Sequence, residues 1–164
     1  MNKIKGLHHA AYRCRNSEET RKFYEDFLGL PLVDTLRIGT TASGRSAQVL
    51  HTFFAMDDGS CVAFFEEPDE PFDFKTQRDF DLHLALTVDS DTLHEMLERG
   101  NAHGIDTRGV IDHGFVHSIY FRDPNGYVVE LAAPVTREST QDTTGQTQAE
   151  TARTILADWE AGKA

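Results

Sequence analysis

The chain has 164 residues, of which 39% are apolar, and its 27 acidic and 16 basic side chains give a net charge of −11. This size and composition fit one soluble globular domain. The charge argues against a nucleic-acid partner, because binding to phosphates needs a clustered basic face. No apolar run approaches the roughly 20 residues of a membrane-spanning helix, and the N-terminal residues lack the apolar core of a signal peptide. With only two cysteines, Cys14 and Cys61, we expect a cytoplasmic protein with no membrane partner.

The first half of the chain reads as a strand, a helix and three further strands. Residues 6–14 alternate around small and apolar side chains, as a strand does. A helix is predicted to follow, with Asn16 or Ser17 as its N-cap and Gly29 at its end. Its inward stripe consists of Phe23, Phe27 and Leu30. The later strand predictions cover residues 30–38, 47–56 and 61–67.

The second half repeats this order. "LHLALTVDS" reads as a strand, "SDTLHEMLERGNAHG" as a capped helix, and "DTRGVIDHG", "FVHSIYF" and "YVVELAA" as strands. His9 and His83 hold the same place in each half, eight residues before Ser17 and Asp91, which open the helices. A repeat of this kind usually forms two modules that pack together. The predicted fold class is therefore α+β, with two tandem βαβββ modules that form one curved mixed sheet around a cleft.

The same repeat divides the chain into four segments. The first module covers residues 1–68 and the second covers residues 82–134, with an acidic, Pro-rich linker at 69–81 between them. Residues 135–164 form a polar tail whose first part is expected to be mobile. A short terminal helix is predicted near its end, with Ile155, Leu156 and Trp159 on one face. This helix either caps the domain or packs on a second subunit.

The alternation of strand side chains divides the candidate site residues from the core. In the second module Leu84 and Leu86 point to one face of their strand and His83 to the other. In the last strand the same alternation places Glu130 opposite the core residues Val129 and Leu131. His9 corresponds to His83 by the repeat, and its neighbour His8 then points away from the cleft.

Two imidazoles and one carboxylate on the inner faces of their strands can converge on a divalent metal ion. His9, His83 and Glu130 would leave about half of an octahedral coordination sphere open, as in non-haem Fe(II) oxygenases. The metal would also explain why an otherwise apolar strand contains Glu130, because a buried carboxylate without a partner is costly. Taken singly, each histidine also fits a hydrogen-bonded structural role, and Glu130 also fits a sheet edge.

At this level the sequence resembles the vicinal oxygen chelate superfamily, which includes glyoxalase I, extradiol ring-cleaving dioxygenases and fosfomycin resistance proteins. The resemblance covers residues 6–134 and rests on the doubled βαβββ order, on "HHAAYRCRNSEETRKFYEDFLGLPLV" and on "YFRDPNGYVVEL". It implies a cleft between the modules with one metal ion at its floor. In the family pattern the strand histidine precedes the helical "FY" by fourteen residues, which selects His9 rather than His8. The other two ligands then map onto His83 and Glu130.

The stretch "IDHGFVHSIYFRDPNGYVVE" is similar to the extradiol dioxygenase signature. Its matching elements are His113, the apolar–Tyr pair that ends at Tyr120, the Asp-Pro-Asn-Gly turn at 123–126 and the metal-binding Glu130. The resemblance implies that a catecholic substrate and O2 meet at Fe(II), with Mn, Ni and Zn as alternative metals. Tyr120 would hydrogen-bond the substrate, and His113, or His117 in its place, would move a proton. Such an enzyme would act in the catabolism of aromatic compounds, and a homodimer is expected.

The sequence departs from this pattern in two ways. Extradiol enzymes carry a further acid–base histidine near the junction of the modules, and here only His51 and His113 are available as replacements. Many relatives also have a second pair of modules. The alternatives are a glyoxalase-like lyase or isomerase, a thiol transferase of the fosfomycin-resistance type and a non-catalytic small-molecule binder. The lyase needs a second carboxylate, where this chain has Ala63, with Glu67 late in the strand. The transferase needs a cationic phosphonate pocket, which this acidic sequence does not indicate.

Overall fold

The computed structural model describes residues 3–135 and 148–163. Residues Met1–Pro134 form one compact unit and Val135–Ala164 form a second one. The elements of the first module are β1 (His9–Cys14), α1 (Ser17–Arg21) with a π-helical continuation (Lys22–Phe27), β2 (Leu32–Thr40), β3 (Ser46–Ala55) and β4 (Cys61–Glu66). Those of the second module are β5 (His83–Thr87), α2 (Ser90–Ala102), β6 (Thr107–Asp112), β7 (Val116–Arg122) and β8 (Val128–Pro134). A last helix, α3, covers Gln148–Ala161.

The predicted α+β fold with two βαβββ modules is confirmed. The first module forms a four-stranded sheet in the order β1-β4-β3-β2, and the second forms one in the order β5-β8-β7-β6. In each sheet the first strand is parallel to the last, and the other neighbours are antiparallel. The strands thus make two mixed sheets where the sequence predicted a single curved one. β1 and β5 are edge strands, so each has one hydrogen-bonding edge without a neighbour in its sheet.

The first helix begins as predicted and then changes its period. The side chain of Asn16 caps it by accepting a hydrogen bond from the backbone N–H of Glu19 at 2.9 Å. From Lys22 onward the helix widens into a π-helical segment, in which the N–H of Leu28 bonds the carbonyl of Phe23 at 2.9 Å. The wider turn buries Tyr24 beside Phe23. The inward stripe predicted from a regular α-helical period did not include Tyr24.

One hydrophobic core is shared by both modules. The rings of Phe27, from the first module, and Phe121, from β7 of the second, meet edge to face at 5.2 Å between centroids. The buried members of this core are Cys14, Phe23, Tyr24, Phe27, Phe54, Val62, Phe64, Leu86, Leu93, Met96, Ile119, Phe121, Val129, Leu131 and Ala133. Because residues from both halves contribute to it, the core joins the two modules into one unit.

The Asp-Pro-Asn-Gly turn before β8 is a buried polar junction between the modules. The carboxylate of Asp123 accepts hydrogen bonds from the hydroxyl of Tyr24 at 3.1 Å and from the backbone N–H of Tyr127 at 2.8 Å. The side chain of Asn125 donates to Asp123 at 3.1 Å and accepts from the backbone N–H of Arg15 at 2.9 Å. Burial raises the pKa of Asp123, although these donors act in the opposite direction. Each side-chain oxygen of Asp123 and Asn125 therefore accepts at least one hydrogen bond.

The linker between the modules packs on the same turn. The backbone N–H of Lys75 donates to the carbonyl of Asn125 at 2.8 Å. Gly126 has a φ of +95°, and a Cβ at this position would lie only 2.0 Å from the carbonyl oxygen of Lys75. Both the backbone angle and the close approach therefore require glycine at position 126.

The predicted terminal helix is present as α3. Its apolar residues Ile155, Leu156 and Trp159 are exposed. Residues 136–147, where the mobile part of the tail was predicted, lie outside the described residues. None of the described helices combines the length and the hydropathy that crossing a membrane requires, and the cytoplasmic location stays a prediction.

The junction at Asp123 leads to a prediction about stability. Replacing Tyr24 by Phe removes one donor from a buried carboxyl group, which we expect to lower the free energy of unfolding by about 1–3 kcal/mol. Tyr12→Phe is the matched control, because the half-buried Tyr12 packs on Phe64 and its hydroxyl has no hydrogen-bond partner within residues 3–135 and 148–163. Urea unfolding of both variants measures the difference, and equal losses would contradict the role given to the Tyr24 hydroxyl.

Candidate metal centre

Burial in β5 and membership of the hydrophobic core in β8 agree with the strand faces predicted for the second module. In β5 Leu86 is buried, whereas His83 and its same-face neighbours are exposed. In β8 Val129 and Leu131 belong to the core cluster, and Glu130 points to the opposite face. The face that bears His83 and Glu130 is therefore the one turned away from the shared core.

His83 and Glu130 are direct neighbours on this face. The Nε2 atom of His83 is 3.1 Å from Oε2 of Glu130. The other ring nitrogen, Nδ1, lies 2.7 Å from the backbone carbonyl oxygen of Asp79. Because a carbonyl oxygen can only accept a hydrogen bond, Nδ1 carries a proton, and a neutral ring then presents its Nε2 lone pair to the carboxylate. Two acceptor atoms at this distance need a shared cation, which is either a proton on Nε2 or a metal ion.

The geometry of this pair fits a divalent metal ion. Two ligands at right angles on bonds of about 2.1 Å lie about 3.0 Å apart, and the observed separation between the His83 and Glu130 atoms is 3.1 Å. A backbone carbonyl on the far nitrogen is also the usual contact that fixes the tautomer of a metal-binding histidine. The two residues thus fit two adjacent ligand positions.

Glu130 is buried, with only 7% of its surface exposed. Its second carboxylate oxygen, Oε1, accepts two hydrogen bonds. The hydroxyl groups of Ser118 and Tyr120 both donate to Oε1, the second at 3.2 Å. The Nε2 atom of His113 lies 2.9 Å from the Tyr120 oxygen. Because that hydroxyl already donates to Glu130, its oxygen accepts from His113, and a chain of hydrogen bonds leads from His113 through Tyr120 to Glu130. The structure therefore brings together four of the five residues predicted for the site or for catalysis.

Tyr120 is held as a neutral phenol. Burial raises the pKa of its hydroxyl, and the nearby negative charge of Glu130 raises it further. At neutral pH Tyr120 is therefore a hydrogen-bond donor and a proton source rather than a base.

A second charged pair lies beside these residues. The guanidinium of Arg108 pairs with the carboxylate of Asp79 and is 4.6 Å from the centre of the Tyr120 ring. The hydrogen bond from Arg108 lowers the pKa of Asp79. The carbonyl of Asp79 also accepts the hydrogen bond of His83. The ion pair therefore contacts His83 through Asp79 and Tyr120 through Arg108.

His9 lies in the other sheet. Its ring contacts His8, with 2.7 Å between the two Nδ1 atoms, and the ring centroids of His51 and Phe53 are 6.1 and 5.5 Å away. Within residues 3–135 and 148–163, no three side chains of His, Cys, Asp or Glu lie close enough together to hold a metal ion. A single chain therefore brings His83 and Glu130 together and leaves His9 apart from them.

The strand registers identify the residue of the first module that corresponds to Glu130. Two positions after His83, β5 pairs with Glu130 of β8. Two positions after His9, β1 pairs with Ala63 of β4. The second carboxylate that a glyoxalase-like site requires is therefore replaced by a methyl group.

The same comparison shows aromatic side chains in the first module where the second has hydrogen-bonding ones. Phe53 lies opposite Ala63 as Tyr120 lies opposite Glu130. His51, two residues before Phe53, stacks on Phe65 with 3.6 Å between ring centroids. Its Nδ1 bonds the backbone oxygen of Phe64 at 3.0 Å. The face around His9 is therefore an aromatic surface, which we call the aromatic face and define as His51, Phe53 and Phe65.

Two other residues considered from the sequence have partners elsewhere. Glu67 forms ion pairs with Arg13 at 3.5 Å and with Arg45 at 2.8 Å. His117 lies 3.7 Å from a carboxylate oxygen of Asp112. Glu67 is thus bound by two arginines just after the end of β4, and His117 takes no part in the chain of hydrogen bonds at Tyr120.

Sequence reasoning missed three residues of the site. Ser118 precedes Tyr120 by two positions in β7, so strand alternation alone places both on the Glu130 face, and this signal was available. Asp79 and Arg108 come from the linker and from β6, and no local pattern connects them. Their pairing depends on tertiary structure.

The tandem modules with a His–Glu pair on one sheet define a two-module α+β protein of the glyoxalase type. The family model of the Glyoxalase/Bleomycin resistance protein/Dioxygenase superfamily matches residues 6–131, and the chain belongs to this superfamily. A comparison with curated protein sequences gives no match.

Solved structures support the same fold. A glyoxylase/bleomycin resistance protein/dioxygenase domain from Frankia sp. has a TM-score of 0.67 and 17% identity, covering 81% of this chain and 100% of that chain. A mutant of the fosfomycin resistance protein FosX from Listeria monocytogenes, complexed with Mn(II) and a dihydroxypropylphosphonic acid, has a TM-score of 0.62 and 20% identity, covering 81% and 95%. An integron cassette protein from the mobile metagenome of a Halifax Harbour sewage outfall has a TM-score of 0.55 and 25% identity, covering 79% and 99%.

The environment of Tyr120 predicts a pH dependence. The difference in phenolate absorbance between the wild type and Tyr120→Phe reports the ionisation of Tyr120. We expect this signal to titrate with a pKa above the ordinary tyrosine value of about 10. Because folding favours the neutral phenol, its contribution to stability is complete below about pH 10 and is lost as the pH rises through the folded pKa. Glu130→Gln removes the negative charge and should bring the pKa of Tyr120 down towards the ordinary value. Absorbance titration near 295 nm tests both, and a Tyr120 component at or below pH 10 in the wild type would contradict this assignment.

Proposed function

We propose that the protein is a metal-dependent dioxygenase that opens the aromatic ring of a vicinal diol with O2. The observation that carries the proposal is the His83–Glu130 pair, separated by 3.1 Å and joined through Tyr120 to His113. It combines a two-ligand metal position with a proton-donating phenol and an imidazole on one face of one sheet. This proposal is more specific than superfamily membership.

The proposed ligands are His9, His83 and Glu130, and the proposed metal is Fe(II), with Mn, Ni and Zn as alternatives. A divalent iron with this ligand set would supply adjacent open positions for a diol and for O2. The Mn(II) in the similar FosX structure shows that a relative of this fold can be complexed with a divalent metal.

The residues of this chain would hold and move protons around the diol. Tyr120, as a neutral phenol, would turn from Glu130, donate a hydrogen bond to a substrate oxygen and then transfer its proton to that oxygen. His113, which donates to the oxygen of Tyr120, would pass its own proton to Tyr120 and regain one from water at the end of a turnover. Ser118 continues to donate to Glu130 throughout, so this carboxylate keeps its orientation.

The aromatic face supports an aromatic substrate. Its rings His51 and Phe53 lie beside His9. Phe53 and Phe65 are only partly buried, so their faces are available for stacking. The absence of a second carboxylate, established by Ala63 in the position that corresponds to Glu130, disfavours the lyase alternative. Proton transfer next to a carbonyl group would have no base there.

We propose that His9 reaches the metal from a second copy of the chain. His83 and Glu130 lie together and His9 lies apart, so a single chain supplies two ligands. β1 and β5 each have an unpaired edge. The exposed Leu7 lies two residues before β1, and the exposed Leu82 lies one residue before β5. A groove of about 520 Å³ whose lining includes Leu7 and Leu84 runs beside β5. A homodimer that covers these apolar edges would place the first module of one copy beside the second module of the other.

The activity is tested with protein loaded with Fe(II) under anaerobic conditions and then given O2 and a panel of catechols. We expect a yellow ring-fission product from at least one member of the panel. Tyr120→Phe should keep the metal and slow turnover by about 100-fold, because it removes general acid–base catalysis. His117→Gln is the control, since His117 pairs with Asp112 instead of Tyr120.

Other outcomes of this assay would favour other functions. Conversion of a hemithioacetal with Ni(II) or Zn(II), without ring cleavage, would replace the dioxygenase by a lyase. Tight catechol binding without turnover, unchanged by EDTA, would show a non-catalytic binder. Equal rates for wild type and Tyr120→Phe would remove Tyr120 from the mechanism.

The shared site is tested by mixing defective subunits. In a heterodimer of His9→Ala and His83→Ala chains, one site combines both intact histidines and the other lacks both. We therefore expect about one metal ion per purified heterodimer and about two per wild-type dimer, with weak retention in each variant alone. Metal analysis of doubly tagged heterodimers measures this. A heterodimer as metal-deficient as its parents would show that each site uses one chain only.

A further inference from the structure

We propose that the Asp79–Arg108 ion pair positions His83 and Tyr120. It links the two side chains that the proposed function uses as a metal ligand and as a proton donor, and neither member of the pair was indicated by the sequence. The inference rests on the proposed function only for its effect on metal binding and turnover, because its effect on the His83 ring exists without a metal.

The ion pair positions His83 through the backbone of Asp79. Its carbonyl oxygen accepts the Nδ1–H of His83 at 2.7 Å, which keeps Nε2 directed at Glu130, 3.1 Å away. Asp79 lies in the linker and not in a strand, so its carbonyl is not fixed by a sheet. The local turn is closed by the N–H groups of Asp81 and Leu82, which both bond the carbonyl of Arg78.

Arg108 ties the side chain of Asp79 to β6. Arg108 in turn lies over the ring of Tyr120 at 4.6 Å, in a cation–π arrangement. The same guanidinium therefore fixes the linker residue that orients His83 and covers one face of the proton-donating tyrosine. Loss of Arg108 would release both contacts at once.

Two other guanidinium groups near the pair, those of Arg122 and Arg78, are bound elsewhere. Arg122, which shares a small cavity of about 80 Å³ with the pair, donates to the carbonyl of Gly126 at 2.7 Å and lies 3.8 Å from Asp106. Arg78, which precedes Asp79 in the linker, is bound to Asp81 at 3.3 Å. Each of these cations already has a carboxylate partner of its own.

The role is one of orientation and not of overall stability. The side chain of Arg108 is 54% exposed and that of Asp79 is 29% exposed, and ion pairs this close to solvent add little to folding. Variants at both positions are therefore expected to fold. The consequence should instead appear in the hydrogen bond at Nδ1 of His83 and in metal affinity, since removal of an outer-shell contact typically weakens metal binding by 10–100-fold.

The test compares Arg108→Gln, Arg108→Lys and Asp79→Ala with Arg78→Gln as the matched control. Arg78→Gln breaks a neighbouring linker ion pair that does not reach the Asp79 carboxylate. In the metal-free protein, nitrogen-15 NMR of the imidazole rings should show a hydrogen-bonded Nδ1–H of His83 that exchanges slowly with solvent in the wild type and in the control, whether or not Nε2 also carries a proton. Faster exchange of this proton is expected in Arg108→Gln and Asp79→Ala, with partial recovery in Arg108→Lys because the charge is retained.

The second measurement is the affinity for Co(II) or Fe(II) alone. We expect Arg108→Gln and Asp79→Ala each to weaken binding about 10-fold, and the double variant to be no worse than either, because both changes break one pair. An unchanged exchange rate of the His83 Nδ1–H in Arg108→Gln and Asp79→Ala would overturn the inference, whatever the enzyme does. Faster exchange in a protein that fails to cleave any catechol would sustain this inference while the proposed function fails.

Discussion

The buried carboxylate of Glu130 is the constraint to which the rest of the site responds. One of its oxygens is saturated by the hydroxyls of Ser118 and Tyr120, and the other faces the Nε2 atom of His83. Burying such a group is costly unless its charge is compensated. The hydroxyls supply hydrogen bonds but no positive charge, whereas the gap between Glu130 and Nε2 of His83 has room for a proton or a metal ion.

The sequence could predict which side chains share a face of a strand, because side chains in a β-strand alternate with a period of two residues. Strand alternation separates Glu130 from the core residues of β8, and the repeat pairs His83 with His9. The π-helical segment could not be read in this way, because it changes the period that a helix prediction assumes, and this hid the inward position of Tyr24. The Asp79–Arg108 pair joins residues 29 positions apart through tertiary packing, which leaves no local trace.

The position of His9 shows a different limit. The repeat indicates that His9 and His83 occupy matching positions in their modules. Matching positions do not decide whether the histidine-bearing faces of the two modules meet within one chain. Here both modules turn their helices towards a common core, so the faces that bear the histidines point elsewhere. The two halves have also diverged in chemistry. The second has a carboxylate and a phenol, whereas Ala63 and Phe53 stand in their places in the first.

The turn that precedes β8 has a consequence for how the two halves of the protein can vary. Asp123 and Asn125 are saturated by the Tyr24 hydroxyl and by the backbone of Arg15, both from the first half. The strand that carries Glu130 is thus anchored, at its origin, on a helical residue that lies 99 positions upstream of Asp123. The second half on its own would therefore leave Asp123 and Asn125 without these partners, so the turn that begins the Glu130 strand depends on the first half of the chain.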